Sequence, residues 1–186
     1  AAVNSGEVTA NTTFVDSGPV EVDFNVISGE YDFAIDTFDG QHYGVQTMTQ
    51  VLEKSNNVGM VFVARTLGEA LFYNYIKDFG LTKRTGIELS DEVTGKVEHF
   101  SGWTESELVT KAFGQGISMT PIQLIQAYTA LANDGVMVRP YLVKSIEYSD
   151  GSLDTFETDV VSQVITEDAS QVITAMMTAV AESYQS

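Results

Sequence analysis

The run Ser118-Met119-Thr120-Pro121-Ile122-Gln123-Leu124 carries every signal of a helix start, and it constrains the fold more than any other stretch. Thr120 can cap the first turn through its hydroxyl. Pro121 falls at the first helical position, where its missing N–H is not needed, and Gln123 falls at the third, where its side chain can answer the cap. Met119 and Leu124 take the two positions of a hydrophobic staple. Beyond them Ile122, Leu124, Ile125, Ala127, Tyr128 and Leu131 make the interior apolar around much of its circumference, which predicts burial in a large core rather than a surface position. Asn133-Asp134-Gly135 ends the helix, Gly135 being free to take positive φ.

The rest of the chain alternates period. Val20, Val22 and Phe24 alternate with Glu21 and Asp23 after the turn Ser17-Gly18-Pro19, and Tyr31, Phe33 and Ile35 alternate before Asp39-Gly40. Residues 1–40 therefore read mostly as half-buried strands and turns. From Thr47, a plausible cap, Met48, Val51 and Leu52 recur at helical spacing. The helix should falter at Ser55-Asn56-Asn57, whose side chains compete for backbone hydrogen bonds. Val58, Val61, Phe62 and Ala64 make a second helix with no polar face, and Leu71, Phe72, Tyr75, Ile76 and Phe79 a third, closed by Gly80. Residues 81–117 are turn-rich, with a short helix expected after Thr104. Val136, Val138, Leu142, Ile146 and Tyr148 suit one strand, Pro140 marking an edge or an irregular start. Ser149-Asp150-Gly151-Ser152 suits a turn, and Leu153 to Phe156 a return strand. Ala169, Val172, Ile173, Met176, Met177, Val180 and Ala181 line a last amphipathic helix after Thr166. This order predicts an α+β domain with buried helices packed against an antiparallel sheet.

Composition narrows function by exclusion. The 186 residues hold 26 acidic and 9 basic side chains, a net charge of −17, which opposes binding to a phosphate backbone, so no nucleic-acid partner is expected. With no cysteine and only His42 and His99, there is no thiolate nucleophile, disulfide framework or histidine-rich metal centre to expect. Asp91, Glu92 and Glu98 read as a solvated face, and His99, Phe100 and Trp103 as a loop packed onto the domain. Gly114-Gln115-Gly116 lacks the strand and Lys-Ser/Thr context of a phosphate loop and reads as a tight turn.

Three stretches, in order, resemble the transpeptidase domain of class B penicillin-binding proteins. They are Val51 to Met60 around Ser55-Asn56-Asn57, Phe79 to Leu89 with Glu92 following, and Ala112 to Leu124 continuing through Ala127-Tyr128, Ala132-Asn133-Asp134-Gly135 and Arg139-Pro140. The opening Ala1 to Phe14 is similar to the segment that follows the start of that family's nucleophile helix. The resemblance covers nearly the whole chain and implies the central part of a β-lactamase/transpeptidase-like domain, residues 1–186 forming one partial domain.

That family's signature is Ser-x-x-Lys, then Ser-x-Asn, then Lys-Thr-Gly. Only the middle element occurs here. Lys83-Arg84-Thr85-Gly86 matches a non-catalytic segment of the family instead, and Ser170 has no lysine three residues on. The resemblance implies Ser55 as a proton relay and Asn57 as an amide clamp on substrate, with Asn56 the variable middle residue that need not face substrate. It implies a serine acyl-enzyme reaction on peptidoglycan stem peptides, acylation by β-lactams, no metal or organic cofactor, and a membrane-anchored parent with this domain on the extracytoplasmic face. The partners expected are stem peptides, β-lactams and the remaining segments of the same domain. The chain alone is expected to be inactive. A non-catalytic wall-associated interaction domain, or a β-lactamase or D,D-carboxypeptidase relative, are the alternatives.

Overall fold

The computed structural model describes residues 1–22 and 33–184; the expectations for Asp23, Phe24 and Tyr31 lie outside them. The chain opens on one helical turn, α1 (Ala2–Ser5), where strands and turns were expected, and Gly6 closes it at φ 82°. β1 (Thr13–Asp16) and β4 (Gly44–Thr47) pair antiparallel, Thr13 opposite Thr47 and Asp16 opposite Gly44. β2 (Val20–Val22) and β3 (Phe33–Ile35) form a second antiparallel ladder, with Val22 and Ile35 buried and Glu21 and Ala34 exposed, as period-2 alternation requires.

The three helices expected between Thr47 and Gly80 are α2 (Met48–Glu53), α3 (Asn57–Leu67) and α4 (Glu69–Asp78). α3 is the hub. Val58 and Leu67 join a core with Phe14, Met48, Val51 and Met176, Val61 joins Val22, Ile35 and Val109, and Ala64 joins Ile76, Trp103 and Leu108. Arg65, paired with Glu105, is the one exposed side chain on it, which is the burial its missing polar face predicts. Beside α3 an apolar cavity of about 200 Å³ lies between α1, α2 and the helix at the chain's end, lined among others by Val51, Met60, Leu67 and Met176.

α5 (Glu105–Lys111) starts on a reciprocal Thr104–Glu107 capping box. The loop before it packs as expected. The Tyr73 ring meets those of His99, Phe100 and Trp103 at 5.0 to 5.8 Å, and the Trp103 indole N–H donates to the Glu98 carbonyl.

α6 (Pro121–Ala132) has the cap, the N1 proline and the capping box read from its sequence, but its burial is inverted. Gln123, Gln126, Ala127 and Ala130 are buried, whereas Leu124, Ile125 and Tyr128 are 43%, 57% and 48% exposed. The small alanines let this face pack on its neighbours, and Gln123 can go inside because all its polar atoms find partners. The larger apolar face lacks a cover among the described residues.

The single strand expected over 136–148 is two. β5 (Val136–Val138) pairs with an unforeseen β8 (Val160–Gln163), while β6 (Ser145–Glu147) forms the expected hairpin with β7 (Leu153–Thr155). Arg139 N–H makes the last bond of the first ladder, to the Asp159 carbonyl, and Pro140 offers no N–H to continue it. α7 (Glu167–Ser183) is capped by Thr166 and buries Ala169, Ser170 and Met176 against α2 and α6. Among the described residues no helix is long and apolar enough to cross a membrane.

Candidate active site

The break between α2 and α3 has a defined geometry. Ser55 N–H donates to the Leu52 carbonyl at 3.1 Å and Asn56 N–H to the Val51 carbonyl at 2.9 Å, the paired bonds of a Schellman C-cap. That motif needs a left-handed residue just past the helix end, and Ser55 takes it with φ 49°. Glycine is usual there, because a Cβ in this conformation costs roughly 1–2 kcal/mol. The reversal leaves Ser55 exposed, and its hydroxyl makes no hydrogen bond among the described residues.

Asn56 then starts α3 as its N-cap, accepting from Gly59 N–H through Oδ1 at 3.0 Å. It is fully buried. Its Nδ2 donates to Asp16 Oδ2 at 2.8 Å and to Gln46 Oε1 at 2.7 Å. Asp16 ends β1 and Gln46 sits on its partner β4, so this side chain pins the helix break to the β1–β4 ladder. Asn56 therefore points into the protein rather than outward.

Asp16 is itself buried. Its Oδ2 also accepts from Tyr43 N–H at 3.2 Å; no hydrogen bond among the described residues reaches Oδ1, and His42 Nδ1 faces it at 3.4 Å. Asn57, the first residue of α3, is half-buried. Its Nδ2 donates to the Asp36 carbonyl at 3.3 Å, and its Oδ1 accepts no hydrogen bond among the described residues. The structure thus places an exposed Ser55 and a half-buried Asn57 at one turn, beside a buried Asn56–Asp16–Gln46 brace. The brace went unread in the sequence. Its signal was present: Asp16 and Gln46 share the inward parity of their strands, with Phe14 buried beside Asp16 and Val15 and Val45 turned out.

Two further motifs serve the frame. Gln123 uses all four of its hydrogen-bonding sites: Nε2 donates to the carbonyls of Lys83 and Leu81 at 2.6 and 3.3 Å, and Oε1 accepts from the N–H groups of Thr120 and Gly95 at 2.8 and 3.0 Å. Glu92 is not a free solvated carboxylate. It accepts from Thr85 N–H, Thr85 Oγ1–H and Gly86 N–H at 2.6, 2.7 and 3.0 Å, which makes Lys83-Arg84-Thr85-Gly86 a closed structural loop. Asp91 and Glu98 are exposed, as expected. Gly114 and Gly116 both take positive φ in the turn that leads to α6. Among the described residues no cluster of three or more His, Asp or Glu side chains is placed to hold a metal ion.

Comparison with known proteins gives one family. The model of the penicillin binding protein transpeptidase domain matches residues 1–186. Penicillin-binding protein PbpB of Mycobacterium tuberculosis is 34% identical over 146 residues, 77% of this chain and 22% of that protein. Stage V sporulation protein D of Bacillus subtilis is 41% identical over 102 residues, 55% of this chain and 16% of that protein. The chain thus spans about a fifth of the length of these curated relatives. Among solved structures, penicillin binding protein 3 of Mycobacterium tuberculosis in complex with aztreonam superposes with a TM-score of 0.83 at 28% identity, over 96% of this chain and 38% of that one. The same protein with ampicillin gives 0.83 at 29% identity, over 97% and 38%. With a motif order, a fold and a family match that agree, this chain belongs to the penicillin binding protein transpeptidase domain family.

Proposed function

We propose that this chain supplies the middle wall of the acyl-transfer site of a peptidoglycan D,D-transpeptidase. The observation that carries the proposal is the Ser55-Asn56-Asn57 turn. An exposed serine hydroxyl on a left-handed reversal and a half-buried carboxamide at the first residue of α3 flank a residue locked to a buried carboxylate. Backbone strain held at a polar turn by its surroundings is common at functional sites and supports this reading.

In the reaction a serine from a Ser-x-x-Lys helix attacks the carbonyl of the penultimate D-Ala. Its proton leaves through the adjacent lysine, and the terminal D-Ala departs as an amine. An acceptor amine from a second strand then attacks the ester. Ser55, with its free hydroxyl, both donates and accepts, and relays protons between lysines on either side. Asn57 Oδ1 is free to accept from the catalytic lysine or a substrate N–H, and its Nδ2, on a long 3.3 Å bond to Asp36, can exchange that bond for the substrate carbonyl. A Lys-Thr-Gly strand aligns the peptide and adds an oxyanion donor. The β-lactams seen with penicillin binding protein 3 would acylate the same serine. The site works on the extracytoplasmic face of the membrane, in a membrane-anchored parent.

Fluorescent penicillin tests this. The 186-residue chain alone should take no covalent label. Joined to segments that supply Ser-x-x-Lys and Lys-Thr-Gly, it should label, and Ser55→Ala should slow labelling about 100-fold or more. Unchanged labelling in both Ser55→Ala and Asn57→Ala would overturn the assignment.

A further inference from the structure

A cleft of about 480 Å³ lies between the end of α4, the loop at 80–85, α6 and the outer side of β8. This is the size of a small-molecule site. Its charge is unlike the rest of the chain. Of the 9 basic side chains in the sequence, Lys77, Lys83 and Arg84 line this one cleft, against a single one of the 26 acids, Asp78. Arg84 lies near Glu92, and Lys77 stands 5.7 Å over the Tyr73 ring. Neither Lys77 nor Lys83 forms an ion pair among the described residues.

A second observation points to a ligand. Gln126, only 4% exposed, lines the cleft, and its carboxamide makes no hydrogen bond among the described residues. Among the described residues Asp16 Oδ1 is the buried side-chain polar atom left without a partner, so the Gln126 amide still meets water in the cleft and can exchange it for a ligand. Gln123, one turn earlier on the same buried face, fills all four of its sites. Gly80 keeps the Gln126 amide uncovered, since a Cβ there would stand 3.3 Å from Gln126 Oε1.

We propose that this cleft binds a small oxyanion, a carboxylate or a phosphate, with Gln126 Nε2–H donating to it and the Lys83 ammonium closing over it. The site is separate from the Ser55-Asn57 turn and does not depend on the acyl-transfer reading.

The test is a titration of the ¹⁵N-labelled protein with inorganic phosphate and, separately, with N-acetylglutamate, each against sodium chloride of matched ionic strength. We expect saturable shifts in the Gln126 side-chain NH₂ and the Gly80 and Lys83 amides with at least one of the two probes. Phosphate alone saturating identifies a phosphate site, and N-acetylglutamate alone a carboxylate site. Gln126→Leu and Lys83→Gln should each weaken binding about tenfold, while Lys96→Gln, outside the cleft, should not. Lys83 is exposed, so its variant keeps the test valid if Gln126→Leu does not fold. Shifts no larger than those from chloride with both probes, or saturable binding that Lys83→Gln leaves unchanged, would overturn the proposal.

Discussion

Asn56 Nδ2 donates to Asp16 Oδ2 at 2.8 Å across 40 residues of sequence, and through this bond the β1–β4 ladder holds the turn that presents Ser55 and Asn57. Removing it should be costly. Asn56→Ala leaves the buried Asp16 carboxylate and Gln46 amide oxygen short of a donor and Gly59 N–H without its cap. Loss of about 2–4 kcal/mol is expected, read as a lower urea midpoint at unchanged m-value. A loss below about 1 kcal/mol would show that water replaces the brace.

Ser55 should show a conflict between stability and activity. Its φ of 49° suits glycine, so Ser55→Gly relieves backbone strain. Set against the greater freedom of glycine in the unfolded chain, the net gain is about 0.5–1 kcal/mol. The same change removes the hydroxyl proposed as the proton relay. A more stable protein that, in the complete enzyme, is acylated far more slowly is the expected pair of results; a stabilised variant with full activity would leave Ser55 a merely structural residue.

Gln123 holds the loop at 81–83, Gly95 and the start of α6 together from a fully buried position. Gln123→Leu keeps the volume and strands two carbonyls and two N–H groups. Destabilisation of about 3 kcal/mol or more should follow, visible as a lower thermal midpoint together with faster amide exchange at Gly95.

Gly59 is a close-packing glycine. A Cβ there would lie 2.6 Å from Val51 Cγ1 and 3.1 Å from Phe14 Cε1. Gly59→Ala should therefore cost about 1–3 kcal/mol despite alanine's better helix propensity. Val51→Ala removes the clashing methyls, so the double variant should be less destabilised than the sum of the singles, a coupling that a double-mutant cycle measures.

Acid should loosen the frame around α5 and the loop at 85–92. Burial, the largest single influence on Glu92, pushes its carboxyl up, but the hydrogen bonds from Thr85 and Gly86, with Arg84 nearby, together hold it below its ordinary 4.5. The Thr104 N–H, opposed by burial and helped by Lys111, does the same for Glu107. Both folded values are depressed, so the stabilisation is complete above pH 4.5 and is lost as pH falls through the lower folded values. Urea midpoints should decline over that window, and Glu92→Gln should flatten part of the decline.

Local signals proved readable and distant ones did not. The N-caps at Thr47 and Thr104, the capping box at Thr120 and the break at Ser55-Asn56-Asn57 fell where short-range hydrogen-bond chemistry placed them. On α6 the burial of Gln123 was not legible because hydrophobicity was weighed without satisfiability: a glutamine that fills four sites can go inside. β8 was missed because its partner β5 is remote in sequence and Pro140 ends their ladder early. At the candidate site, the triplet marked Ser55 and Asn57 for test, whereas the left-handed backbone of Ser55 and the clamp of Asn56 on Asp16 depend on tertiary contacts that no local pattern encodes.

The most direct test is a crystal structure of the complete domain acylated by a β-lactam. Ser55 Oγ should lie within hydrogen-bonding distance, about 3 Å, of the catalytic lysine, and the Asn57 amide should lie at the same range from the ligand's amide group. Ser55 and Asn57 turned away from the acylated serine, with neither within reach of the adduct or the lysine, would contradict the account.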